Sequence, residues 1–155
     1  MRAYLLLVVL AACGNMDNGD DSPPVDCTMV TGTDTFVVGL EKMGAAGTID
    51  FKLMSIDPAP DPQRGDNTWI VQINTMTNSV VGAPIDGATL EVTPYMPAHG
   101  HGTPIIPTIT PTGDPGTYKV TPVNLWMPGV WVTTIKATPA GGTADKAVYT
   151  FCLPG

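Results

Sequence analysis

Residues 117–138, TYKVTPVNLWMPGVWVTTIKAT, decide the fold class of this chain. Val, Ile, Thr, Tyr and Trp dominate its two halves, and Met127-Pro128-Gly129 separates them. β-Branched and aromatic residues favour strands, whereas proline and glycine interrupt them. The stretch therefore predicts two β-strands, at 117–123 and 130–138, joined by a turn.

The same pattern continues in both directions along the chain. Sixteen prolines and seventeen glycines punctuate short apolar runs, and no window keeps a helical apolar period for three turns. Further strands are predicted at 35–41, 48–56, 68–74, 89–95, 105–110 and 144–152. The proline-rich run at 57–62 cannot join a ladder and is expected to form a surface loop. Seven to eight short strands at this spacing predict an all-β, immunoglobulin-like β-sandwich.

The first residues have the pattern of a bacterial secretion signal. Met1 and Arg2 precede an apolar run at 4–12, which is followed by Cys13. The run is far shorter than the roughly 20 residues that a transmembrane helix needs. Its Leu-Ala-Ala-Cys ending resembles a lipobox, so residues 1–12 are predicted to be a lipoprotein signal peptide and Cys13 the lipidated N-terminus. The alternative is an ordinary signal peptide with an incidental cysteine.

Composition indicates how the rest of the chain is divided. Residues 13–32 are rich in Asp, Asn, Gly and Pro, which predicts a flexible acidic tether, and residues 33–155 are predicted to form one domain. The formal net charge of −7 argues against nucleic acid as a partner, because nucleic-acid binding requires clustered Lys and Arg. The expected location is the bacterial cell envelope, attached to a membrane by lipid and facing the periplasm or the exterior.

Three cysteines are present, and assigning Cys13 to lipid leaves an even pair, Cys27 and Cys152. In an oxidising compartment such a pair predicts a disulfide that closes the whole domain. Two free buried thiols are the alternative, because spacing alone does not establish a bond.

The two histidines of the chain, His99 and His101, lie one residue apart after Met96-Pro97. A second Met-Pro pair begins at Met127. Thioether sulfur suits Cu(I), and imidazole nitrogen suits either oxidation state of copper. If strands 89–95, 105–110 and 117–123 alternate in direction, both Met-Pro pairs emerge at one end of the sandwich. The sequence therefore predicts a copper site with Met96, His99, His101 and Met127 as ligands.

Each of these residues also has a simpler interpretation. Met96 and Met127 could fill irregular gaps in the core. His99 and His101 could belong to a solvated glycine-rich loop. Trp126 and Trp131 flank the second Met-Pro pair and are expected in the sandwich core rather than on a ligand-binding surface.

Two runs of this sequence resemble the YtkA-like and FixH-like domain family. They are Met96-Pro97-Ala98-His99-Gly100-His101 and the later Met127-Pro128-Gly129-Val130-Trp131, within a similarity from about 48 to 138. The resemblance implies a β-sandwich outside the cytoplasmic membrane, and its FixH-like members are associated with copper delivery during respiratory oxidase assembly. A lipid anchor on Cys13 is expected here in place of the transmembrane anchor of FixH-like proteins.

The sequence therefore supports two functional hypotheses. The first is a lipid-anchored protein that carries or buffers copper and exchanges it with a donor or acceptor protein. The second is a structural or protein-interaction module of the envelope that binds no metal. An enzyme is not predicted, because three protein ligands for a hydrolytic zinc site cannot be assigned and no nucleophile elbow is present.

Overall fold

A computed structural model describes residues 24–155, and the predicted signal peptide and Cys13 lie outside these residues. A 3-10 turn, Cys27–Met29, precedes the strands. The strands are β1 (Leu40–Met43), β2 (Ile49–Asp57), β3 (Gly65–Thr77), β4 (Val80–Pro84), β5 (Thr89–Met96), β6 (His101–Gly102), β7 (Thr108–Pro111), β8 (Thr117–Leu125), β9 (Gly129–Thr138) and β10 (Asp145–Leu153).

The strands form two antiparallel sheets. The first has the order β1-β2-β3-β8-β7, with the short β4 added to β3, and the second has the order β10-β9-β5-β6. Consecutive strands β2 and β3 are neighbours, whereas β8 and β9 are consecutive in the chain but belong to different sheets. The chain therefore crosses from one sheet to the other through Trp126, Met127 and Pro128.

One core lies between the two sheets. Alternate residues point inward along β5, β9 and β10, as expected for strands with one buried face. Trp69 of β3 meets Tyr149 and Phe151 of β10 edge to face, with ring centroids 6.5 and 5.8 Å apart. These aromatic contacts join the sheets, and they confirm the predicted all-β sandwich.

Several strand predictions are confirmed in their interiors and differ at their ends. The strand predicted at 35–41 begins only at Leu40, and the one predicted at 105–110 begins only at Thr108. Pro107 interrupts the second of these, since proline cannot donate a ladder hydrogen bond. β4 and β6 were not predicted, because five exposed residues and a two-residue bridge carry no periodic pattern. Within residues 24–155, no helix is long and apolar enough to cross a membrane.

Candidate metal centre

Strand register brings the two Met-Pro pairs to the same end of the sandwich. β5 and β9 run antiparallel, and Tyr95 near the end of β5 is paired with Val132 near the start of β9. The loop that follows β5 therefore lies beside the loop that precedes β9. We call this end, made of residues 95–102 and 126–129, the apical end. The predicted convergence of the two motifs is confirmed.

The histidines lie on a tight turn that leads from β5 into β6. The backbone N–H groups of His99 and Gly100 donate to the Met96 carbonyl at 3.2 and 3.0 Å. Gly100 has a φ of +68°, a conformation in which a side chain would be strained. The turn leaves His99 exposed and His101 half-buried, with ring centroids 5.7 Å apart.

Register and hydrogen bonding orient His101. It is paired with Met96 across β5 and β6, so the two side chains project from the same face of the sheet. Its Nδ1 lies 3.0 Å from the Gly102 carbonyl oxygen. A carbonyl oxygen only accepts hydrogen bonds, so this contact is a hydrogen bond in the tautomer that carries its proton on Nδ1. The lone pair of Nε2 is then available to a metal, an arrangement typical of metal-binding histidines.

Gly102 and Gly129 allow the backbones at the apical end to approach closely. A Cβ atom at Gly102 would lie 2.6 Å from the Pro94 carbonyl oxygen, which is too close for any side chain. A Cβ atom at Gly129 would lie 2.6 Å from the methyl carbon of Met96. Met96 therefore fills the space that the absence of a side chain at Gly129 leaves open.

Both candidate thioether ligands are part of the core at the apical end. Met96 is 0% exposed and Met127 is 6% exposed, and both belong to the buried apolar cluster. The indole N–H of Trp131 donates to the Met127 carbonyl at 2.9 Å, which fixes the backbone of this loop. The methionines thus pack as core residues in the described structure, while His99 is exposed to solvent and His101 is half-buried.

Trp126 corrects one prediction from the sequence. Trp131 is 0% exposed, as predicted for a core residue, but Trp126 is 43% exposed. It lies in the crossover loop after Leu125 has ended β8, so no facing sheet covers it. Its ring is stacked on His101, with centroids 5.5 Å apart and planes inclined by 17°. The only sequence signal for this contact was the position of Trp126 directly before the second Met-Pro pair.

The candidate donors are mixed in chemical type. Among residues 24–155, no group of three or more His, Cys, Asp or Glu side chains is placed to hold a metal ion. A site at the apical end would therefore have two imidazoles and would need sulfur or exogenous ligands to complete it. This donor set fits copper better than zinc or calcium, which prefer additional nitrogen, thiolate or oxygen ligands.

The predicted disulfide is present and lies near the same end. Cys27 and Cys152 are bonded, with Cα atoms 5.7 Å apart. Cys152 is paired in register with Val130, the second residue of β9. Val25 has a methyl carbon 4.0 Å from the Cβ position at Gly129, so the N-terminal stretch also packs at the apical end.

Comparison with known protein families places this geometry in context. The sequence profile of the YtkA-like family matches residues 44–136. The chain belongs to the YtkA-like family. The matched YtkA-like region contains Met96, both histidines, Trp126 and Met127, and it ends within β9. No curated protein and no solved structure matched this chain.

Proposed function

We propose that this YtkA-like protein binds copper at its apical end and carries or buffers the metal without catalysing a reaction. The observation that supports this most directly is the pair of neighbouring imidazoles, one exposed and one half-buried, with ring centroids 5.7 Å apart. His99 and His101 are the proposed nitrogen ligands. Met96, which shares a face with His101, and Met127 are the proposed thioether ligands.

The sequence motifs at the N-terminus complete the proposal. The signal-like residues 1–12 and the lipobox-like Cys13 favour a lipid-anchored protein on the periplasmic or exterior face of a bacterial membrane. Several acyl chains on one terminus would anchor it firmly, since each buried methylene contributes about 0.8 kcal/mol. A second protein that donates or accepts copper would meet the exposed His99 and the edge of His101.

A second candidate function is favoured by the burial of the methionines. If Met96 and Met127 serve only as core residues, the apical end is a histidine turn on an envelope module that binds no metal. This candidate makes no use of His99, which is exposed on the turn.

Copper titration of the purified protein separates the two candidates. Cu(I) is kept reduced with ascorbate and competed against a chromophoric cuprous chelator, beside a His99→Ala/His101→Ala variant. We expect the double variant to bind at least about tenfold more weakly, which corresponds to a loss of at least about 1.4 kcal/mol of binding free energy when both nitrogen ligands are removed. Thr143→Ala, in the exposed β9–β10 turn at the opposite end, should bind like the wild type.

Equal affinity of the wild type and the double variant, or a wild type that takes up no copper, would leave the second candidate. Met96→Leu and Met127→Leu nearly preserve side-chain volume and test the thioethers. A folded leucine variant with unchanged affinity would remove that methionine from the ligand set.

A further inference from the structure

Trp126 is the one tryptophan of three that solvent reaches. Trp69 and Trp131 are 0% exposed in the core, whereas Trp126 is 43% exposed at the apical end. Exposing an indole gives up burial that would stabilise the fold, which makes its position on the surface informative. Its indole covers one face of the half-buried His101 ring.

The orientation of this stack determines what the indole face can reach. The Gly102 carbonyl occupies Nδ1 of His101, so a metal would bind at Nε2. A metal bound to an imidazole nitrogen lies close to the plane of that ring. Because the two ring planes differ by only 17°, the metal would lie on the same face of the indole as His101.

Indole is the aromatic side chain that attracts cations most strongly through its π-face. The attraction grows when water is kept away from the ion, and a flat ring beside the site does that on one side. Trp126 also directly precedes Met127, so the loop that holds the proposed thioether also fixes the indole.

We propose that Trp126 is a direct part of the copper site, where its indole face stabilises and shields Cu(I) bound at His101. This inference rests on the copper-binding function proposed above. It assigns Trp126 a specific role, to favour the cuprous ion by a cation–π contact and to limit the access of water and oxidants. No bond to the ring is formed or broken, and the ion keeps its oxidation state.

The test compares Trp126→Leu and Trp126→Phe with the wild type. Tyr95→Leu is the matched control, because Tyr95 is also 43% exposed but alternates with Met96 and so faces away from His101. Cu(I) affinity is measured by chelator competition in ascorbate. Trp126→Leu should bind about three- to tenfold more weakly, Trp126→Phe should be intermediate, and Tyr95→Leu should match the wild type.

Tryptophan emission provides a second readout, which a purely structural role of the stack would not produce. Saturating Cu(I) should quench or shift the wild-type emission, and the Trp126→Phe variant, which keeps the two buried tryptophans, supplies the background. Thermal unfolding of each variant shows whether the fold is retained. If Trp126→Leu does not fold, the Cu(I) affinity of Trp126→Phe and the wild-type emission still show whether Trp126 contributes to the copper site.

The outcomes distinguish this inference from the function on which it rests. Unchanged affinity in both Trp126 variants, or wild-type emission that ignores saturating Cu(I), overturns the role of Trp126 and leaves the histidine site intact. Equal binding by the wild type and the His99→Ala/His101→Ala variant instead overturns the copper site itself. Weaker binding by Tyr95→Leu as well would mean that any apical aromatic residue affects affinity, which also overturns the inference.

Discussion

Asp145 is a single side chain that fastens two parts of the chain about a hundred residues apart. It is 2% exposed, and its carboxylate accepts hydrogen bonds from the backbone N–H groups of Ala46, Thr48, Ile49 and Lys146 at 2.8–3.1 Å. Burial raises the pKa of the Asp145 carboxyl, but these backbone hydrogen bonds together lower it further, so its pKa lies below the ordinary value. The ionised carboxylate therefore stabilises the turn between β1 and β2.

We expect Asp145→Ala to lower the free energy of unfolding at pH 7 by on the order of 3 kcal/mol, because several backbone N–H groups lose their acceptor. A depressed pKa in the folded state means that this stabilisation is present above the unfolded value of about 3.9 and is lost as the pH falls through the folded value. The difference between wild type and variant should therefore narrow in strong acid.

Urea denaturation at pH 7 and at about pH 2 measures this difference. Asp114→Ala is the control, because Asp114 lies exposed in the β7–β8 turn. If the unfolding free energies of the wild type and Asp145→Ala differ by the same amount at both pH values, the ionised carboxylate does not stabilise the fold as proposed.

The sequence predicted the histidines as candidate ligands but not the role of Asp145. His99 and His101 stand out locally, since they are the only histidines and lie one residue apart. The partners of Asp145 at Ala46, Thr48 and Ile49 are 96 to 99 residues away, so only the folded chain brings them together. The sequence wrongly predicts Trp126 in the core for a similar reason. The packing of the other sheet, which local sequence does not show, determines which side chains are covered.

Strand interiors were predictable because they carry a two-residue apolar alternation, as in β5 and β9. Strand limits were less predictable, because a partner strand rather than local composition determines where pairing stops. β6 illustrates this, since its two residues become a strand only through pairing with Tyr95 and Met96. This short strand nevertheless holds His101, so the element most important to the candidate site had the weakest signal.

For the pairing of individual strands, we predict that Gly102→Ala disturbs the β5–β6 pair. A methyl group there would meet the Pro94 carbonyl oxygen at 2.6 Å, and backbone atoms cannot move aside as a flexible side chain can. The expected cost in unfolding free energy is about 1–3 kcal/mol, as for other overpacked sites. Displacement of β6 should also weaken Cu(I) binding, because His101 belongs to that strand.

Gly142→Ala is the matched control for this substitution. Gly142 also has an ordinary φ, but its nearest contact is the Pro139 Cβ atom at 3.1 Å, in an exposed turn at the other end of β9. Denaturation and copper competition are measured on both variants. If Gly102→Ala and Gly142→Ala are equally stable and bind copper equally, the close approach of β6 to β5 is not important for the site.

In the whole molecule, the two sheets and the disulfide fix the relative positions of the residues at the apical end. The first sheet contributes Trp126 through the end of β8, and the second contributes the histidines through β5 and β6. The candidate site therefore lies where the sheets meet, and any motion of one sheet against the other would separate Trp126 from His101. Cys27–Cys152 and Val25 lie against the second sheet close to this junction.

We expect Cys27→Ser/Cys152→Ser to lower the free energy of unfolding substantially. The bond joins residues separated by 125 positions, so it closes a long loop and lowers the conformational entropy of the unfolded chain. The chain-entropy relation gives about 4–5 kcal/mol for a loop of this size. Release of Cys27 should also free Val25 from its contact near Gly129 and loosen the packing around Met96. The free energy of Cu(I) binding should therefore weaken, but by less than the free energy of unfolding.

Urea denaturation of the oxidised wild type, the reduced wild type and the double serine variant measures the first effect, and chelator competition measures the second. The reduced wild type should match the variant, since both lack the cross-link. A loss of less than about 1 kcal/mol in both would mean that the unfolded chain is hardly restricted by the bond. The sandwich would then be held together by its core contacts, with the disulfide fastening only the N-terminal stretch at the apical end.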